Sequence, residues 1–308
     1  MLLLREYGMM LRFLAIACIF ALPAHAFELR GGERPIRLTH APESIAALSW
    51  NLAEVAVDLD LPLIGITDID GYRTWVKTPT LPGGVRDLGL RNEPNLEAIS
   101  SLEPDLILAS DQQVDMEMRL GRIAPTWIGD QFSADHDNAA VARATYRDIA
   151  AAFGKTDLAE RRLANLDGTM KSAGDRVRKA WGGAVPPVLP VRLLTPTSLR
   201  IHGPNSMAEA ALHGMGLTPA AHGKQTEWGF TLVSIDELAT YPDAAVVHID
   251  PFADGEQLFN SPLWKAIPAV AAGRFATAEP VWTFGSVVSL GLLSQHLAKA
   301  LIEMAAQQ

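Results

Sequence analysis

Near the middle of the chain, the run from Asp157 to Trp181 carries one apolar stripe, Leu163, Leu166, Met170, Ala173 and Val177, among charged or small residues. Side chains three and four apart share a helix face, so the spacing predicts one amphipathic helix. Thr156 stands as its N-cap, and Gly182-Gly183 followed by Pro186-Pro187 closes it. A helix of about 25 residues reaches roughly 37 Å, long enough to bridge two domains, although an ordinary surface helix would carry the same stripe. The domain boundary is placed here: residues 27–156 form an N-terminal lobe, 157–182 a linker helix and 183–308 a C-terminal lobe.

On either side, short apolar runs alternate with amphipathic helical stretches, the pattern of βα units and an α/β fold. Strands are expected at Ile45–Leu48, Leu63–Ile66, Leu106–Ala109, Val191–Leu194 and Ala244–Ile249. Helices are expected at Leu52–Leu59, Asn95–Leu102, Met116–Ile123, Asn138–Phe153, Met207–Met215, Ile235–Leu238 and Val287–Ala305. The lobes echo one another: Asn95-Leu-Glu97 leads through Pro104-Asp105 into a strand, as Ser234-Ile-Asp236 leads through Pro242-Asp243. Both carboxylates sit at helix N-termini, where the macrodipole favours them, and capping alone explains their presence.

Residues 1–26 carry Arg5 and Arg12, a ten-residue apolar run from Phe13 to Leu22, and small residues at Ala24 and Ala26. These are the parts of a secretory signal peptide cleaved after Ala26, with Met10 as an alternative start. Cys18, the only cysteine of the 308 residues, would leave with it, which suits an oxidising compartment. One cysteine also excludes a disulfide scaffold and a Cys-based metal site. A formal charge of −9 without a basic patch argues against nucleic acid as a partner.

Enzyme signatures are missing from the sequence: there is no G-x-S-x-G elbow, no phosphate-binding P-loop and no zinc-spaced histidine pair. Gly203-Pro-Asn-Ser206 reads as a loop ending in a helix cap, and His248 as a structural residue inside a strand. The seven tryptophans carry more. Trp50, Trp75, Trp228 and Trp282 follow strand or turn segments in both lobes. In α/β folds such loops surround the ligand, and aromatics there cover large apolar surfaces. A shared cleft between the lobes is therefore expected.

Several segments together carry a resemblance: Tyr72-Arg-Thr-Trp75-Val-Lys-Thr-Pro-Thr-Leu-Pro82, Asp87-Leu-Gly-Leu-Arg91-Asn-Glu-Pro-Asn-Leu-Glu97, Gly203-Pro-Asn-Ser206, Trp228-Gly229-Phe-Thr-Leu-Val-Ser-Ile-Asp236, Ser261-Pro-Leu-Trp264, and Gly273-Arg-Phe with Val281-Trp282. In this order, from about Ser44 to the C-terminal helix, the chain resembles the periplasmic ferric-hydroxamate (ferrichrome-type) siderophore-binding proteins of ABC importers. The resemblance implies an α/β fold of two Rossmann-like lobes joined by a single long helix, with small closure and a periplasmic location. It implies a monomer that delivers its cargo to an inner-membrane ABC permease with a cytoplasmic ATPase. No resident cofactor is implied, because the iron arrives already chelated by six siderophore oxygens. The family's hydroxamate-contacting arginine falls on Arg91, within Gly89-Leu-Arg91. Its cleft tryptophans fall on Trp228 and Trp282, with Trp75 and Trp50 as further wall positions. Its permease-docking carboxylates fall on Glu97 and Asp236. Arginine offers rigid, permanently charged donors to hydroxamate oxygens.

Two family tyrosines are replaced, by Gln113 and Phe284, both carried over here as ligand-binding positions. Glutamine keeps a donor and loses the ring, whereas phenylalanine keeps the ring and loses the hydroxyl. Two alternatives stay open: the same scaffold binding haem, cobalamin or a ferric catecholate, and a periplasmic hydrolase on a similar fold. A catecholate complex would ask for several cleft cations, and the sequence names only Arg91 with possible help from Lys224.

Overall fold

The computed structural model describes residues 27–129 and 132–308; the expected signal peptide lies outside the described residues. A two-stranded hairpin, β1 (Phe27–Leu29) and β2 (Ile36–Leu38), opens the chain. The N-terminal lobe follows as β3 (Ile45–Ala47), α1 (Trp50–Asp58), β4 (Leu63–Ile66), α2 (Ile69–Trp75), β5 (Arg86–Asp87) and α3 (Leu96–Ser101). It continues with β6 (Leu106–Ser110), a 3-10 turn over Asp111–Met116, α4 (Glu117–Leu120), β7 (Thr126–Gly129) and α5 (Asn138–Ala152). Its five strands are all parallel in the order β5-β4-β3-β6-β7. β6 is wholly buried, so it reads as a continuous apolar run, as strands covered on both faces do.

Helix α6 (Thr156–Ala180) is the predicted long helix, and all five of its stripe residues are buried. Its start differs from expectation: Thr156 is already helical, Lys155 holds the cap position without a side-chain capping bond, and Asp157 supplies the acidic first turn. Gly174 lies where α6 meets the end of α7, and a Cβ there would overlap the Met215 carbonyl.

The C-terminal lobe contains β8 (Val188–Thr195), β9 (Ser198–His202), α7 (Met207–Met215), β10 (Phe230–Ser234) and a 3-10 turn over Ile235–Thr240. Then come β11 (Ala245–Ile249), the short helices α8 (Gly255–Phe259), α9 (Pro262–Lys265) and α10 (Pro268–Ala271), β12 (Phe275–Ala278) and α11 (Val287–Ala305). Its sheet is ordered β10-β9-β8-β11-β12. Here the structure departs from plain βα alternation, because β8, β9 and β10 pair antiparallel while β11 pairs parallel with both β8 and β12. The cause is the tight turn after Thr195, which returns the chain alongside itself instead of over the sheet.

The largest core cluster runs from the N-terminal sheet through α6 and α11 to β11. Smaller cores cover the outer face of each sheet. The lobes therefore share one buried interior, and two polar ties reinforce it. Glu54 of α1, fully buried, accepts from the Ser286 and Ser289 amides (3.0 and 3.3 Å) and from both hydroxyls (2.6 and 2.7 Å) at the start of α11. Asn138 at the start of α5 donates from Nδ2 to the Asn205 and Glu227 carbonyls, and its amide donates to Asn205 Oδ1, each at 3.0 Å.

Candidate functional site

Between the lobes lies an open cavity of about 530 Å³, walled by residues of both. The N-terminal wall is built around Arg91. Asp87 accepts from the Ile69 and Gly89 amides (2.8 and 2.7 Å), and Gly89 adopts φ +85°, so the chain turns sharply before presenting Arg91. The Arg91 guanidinium lies 3.9 Å from the Trp50 ring centroid and 5.2 Å from that of Trp282. Asp68 Oδ2 stands 3.8 Å from its Nε. Burial lowers the Arg91 pKa and Asp68 partly restores it, leaving a charged, oriented and half-exposed donor.

Aromatic rings from both lobes complete the wall. Trp282, on the loop between β12 and α11, meets Trp50 edge to face at 4.8 Å. Trp228, just before β10, stacks on Phe132 of the N-terminal lobe at 5.4 Å. Phe284 touches Trp228 and Trp282 at 5.5 and 5.3 Å. Trp50 is fixed from behind, its Nε1 donating to the Thr67 carbonyl at 3.0 Å.

The structure thus brings Arg91, Trp50, Trp228, Trp282 and Phe284 to one cavity. Two expected ligand positions lie outside the cavity lining. Gln113 does not face the cavity: it is buried, its Oε1 accepts from the Ser110 amide and hydroxyl, and its Nε2 donates to the Arg91 carbonyl at 2.9 Å. With its amide committed to the capping box of the 3-10 turn and its side chain buried, it holds Arg91 in place from behind. Its neighbour Gln112 lines the cavity. Trp75, the last residue of α2, is also absent from the lining; its ring lies 5.6 Å from the Arg192 guanidinium. Lys224 borders a separate, smaller pocket.

Glu97 and Asp236 are both exposed, in the first turns of α3 and of the second 3-10 turn, outside the cavity. The Ser234 hydroxyl and the backbone hold the Asp236 carboxyl below the usual range. His248 is buried in β11, where Nδ1 accepts from the Leu193 amide at 3.3 Å. Among the described residues no group of three or more His, Cys, Asp or Glu converges as a metal site.

The sequence reading missed Phe132, Phe230 and Arg200, which also line the cavity. Arg200 lies on β9, whose Ser-Leu-Arg-Ile-His alternation is the signal that could have revealed it. Its guanidinium sits 4.3 Å from the Phe230 centroid and 5.9 Å from that of Phe284.

Residues 45–281 match the family model described as periplasmic binding protein. The iron(3+)-hydroxamate-binding protein FhuD of Escherichia coli (strain K12) is 35% identical over 250 residues, covering 80% of this chain and 83% of that one. The Fe(3+)-citrate-binding protein YfmC of Bacillus subtilis (strain 168) is 27% identical, covering 79% and 75%. The crystal structure of Fe3+-Desferal-bound siderophore binding protein FhuD from Vibrio cholerae superposes with a TM-score of 0.82 at 32% identity, over 85% of this chain and 98% of that one.

Proposed function

The chain belongs to the periplasmic binding protein family, and we propose on that basis that it captures a ferric hydroxamate siderophore between its lobes and delivers it to an ABC permease for iron uptake. The observation that carries the ligand class is the arginine laid on two tryptophans inside an aromatic cavity shared by both lobes. In a ferric hydroxamate the siderophore supplies all the iron ligands, so the receptor needs donors for polarised oxygens and apolar surface for the organic shell. Arg91 supplies the first, and Trp50, Trp228, Trp282 and Phe284 the second. Gln113 acts one step back, by fixing the Arg91 carbonyl.

The cargo is bound and released unchanged, without a resident cofactor and without catalysis. The protein reaches the periplasm by a signal peptide cleaved after Ala26 and works as a monomer. Glu97 and Asp236, one exposed carboxylate on each lobe, dock onto basic groups of the permease, which is driven by a cytoplasmic ATPase. Tryptophan-fluorescence titration of the mature protein with ferrichrome, ferrioxamine B, a ferric catecholate, haem and cobalamin tests the reading. Saturable quenching by hydroxamates at micromolar concentration or below is expected, a binding free energy of about −8 kcal/mol or better. Quenching confined to the other ligands, or by none, overturns it.

A further inference from the structure

The C-terminal wall of the cavity carries a second cationic group, Arg200. The antiparallel register of β8 and β9 sets Arg192 directly opposite Arg200. Side chains alternate along a strand, so His202 shares the face of Arg200. Like charges directly opposite each other destabilise a sheet, and the three groups show the consequence. Burial, with Arg200 and Asp250 acting in opposite directions, pushes Arg192 down to about 10, and burial beside both arginines pushes His202 down to about 3. His202 is thus neutral, and the positive charge rests on the two arginines.

They are not equally provided for. Arg192 is buried, donates from Nη2 to the Val281 carbonyl at 3.0 Å, and feels the Asp250 carboxylate. Arg200 faces the cavity and forms no ion pair among the described residues; the buried Nε of each arginine lacks a hydrogen-bond acceptor. Arg91, on the other lobe, has Asp68 at 3.8 Å. The ionised residues lining the cavity are Arg91, Arg200 and Asp68, which leaves one uncompensated positive charge at Arg200.

Three hydroxamates neutralise ferric iron and would leave that charge unmatched in a partly desolvated site. Two hydroxamates and one doubly deprotonated α-hydroxycarboxylate give a complex with one negative charge. Arginine's planar fork suits a carboxylate better than any other side chain does.

We propose that the preferred cargo is an anionic ferric complex of a citrate-centred dihydroxamate, and that Arg200 receives its carboxylate oxygens. This rests on the ferric-hydroxamate reading above and names the subclass within it. Arg91 then serves the hydroxamate side from the N-terminal lobe, so the ligand's own polarity orients it across the cleft.

The test compares ferric schizokinen, a citrate-centred dihydroxamate, with neutral ferrichrome and cationic ferrioxamine B, by fluorescence titration at low and high ionic strength. Wild type is expected to bind ferric schizokinen at least ten-fold tighter than ferrichrome, and added salt should narrow the gap. In Arg200→Gln the ratio of the two affinities should fall at least ten-fold, and Arg200→Lys should keep part of it. Equal or tighter binding of ferrichrome by wild type overturns the proposal while leaving the hydroxamate reading standing. An affinity ratio unchanged by Arg200→Gln also overturns it. Failure of all three complexes to bind overturns the hydroxamate reading itself. If the glutamine variant does not fold, the wild-type ranking and the lysine variant decide.

Discussion

Glu54 makes the clearest demand on solution behaviour. Its carboxylate is fully buried between the lobes and takes four hydrogen bonds from Ser286 and Ser289. Burial nevertheless outweighs those bonds and raises its pKa from 4.5 to about 7. A carboxyl whose folded pKa lies above its unfolded value stabilises the fold least when ionised, so stability falls as pH rises through that window. With those two values, linkage gives a loss of about 2.5 kcal/mol between pH 5 and pH 8, relative to a residue that does not titrate. Glu54→Gln is that reference. Its Nε2, placed at the Oε1 position, meets only the Ser289 hydroxyl, which can turn to accept, while the remaining oxygen keeps both amides. Urea unfolding of both proteins at pH 5, 6, 7 and 8 should therefore show the wild type losing about 2.5 kcal/mol on the glutamine variant. In melting temperature this is about 5–10 °C. A constant gap across the series would refute the burial argument. A wild type that gains on the variant with rising pH would show that the helix N-terminus and its donors govern the carboxylate instead.

Arg91→Ala should weaken ferric hydroxamate binding by about 1.5–3 kcal/mol, or about 10- to 150-fold, measured by fluorescence titration, as expected for charge-assisted hydrogen bonds. Unchanged affinity would remove Arg91 from the site. Gly174→Ala drives a methyl group into the Met215 carbonyl and should cost about 1–3 kcal/mol in urea unfolding, whereas Gly168→Ala on the same helix, with open space around it, should be neutral or stabilising. Glu97→Arg should leave ligand affinity intact and reduce siderophore-dependent transport in cells. Loss of ligand affinity in that variant would count against a docking role.

The elements read correctly from sequence are those whose burial pattern is simple. Met207–Met215 and Val287–Ala305 match the observed bounds of α7 and α11, and the stripe of α6 is buried as spaced. Strands β9 and β10 escaped because charged and polar residues interrupt them, and with β9 went Arg200. Phe132 escaped for another reason: its partner Trp228 comes from the other lobe, and no local pattern encodes a contact across a cleft. Gln113 shows the opposite error. Its position pointed to the ligand, but a short amide beside a strand end satisfies the backbone first, and here it takes Ser110 and the Arg91 carbonyl together.

The same contacts bear on how the cleft can move. A hinge that opened widely would have to uncover the core cluster shared by α6, α11 and both lobes. It would also break the four bonds on Glu54 and the three that Asn138 makes to Asn205 and Glu227. Exchanging each of these hydrogen bonds for water costs about 0.5–1.5 kcal/mol net, and about 1.5–3 kcal/mol for bonds to a charged group, before any of the shared apolar surface is exposed. Trp282 and Phe284 precede Ser286 by a few residues, and Trp50 precedes Glu54 on α1, so the tie at Glu54 also sets the spacing of the aromatic wall. These ties therefore disfavour a wide hinge motion of the two lobes. If Glu97 and Asp236 dock onto the permease as proposed, loading would be signalled there by small changes in their separation, or by ligand surface exposed at the open mouth.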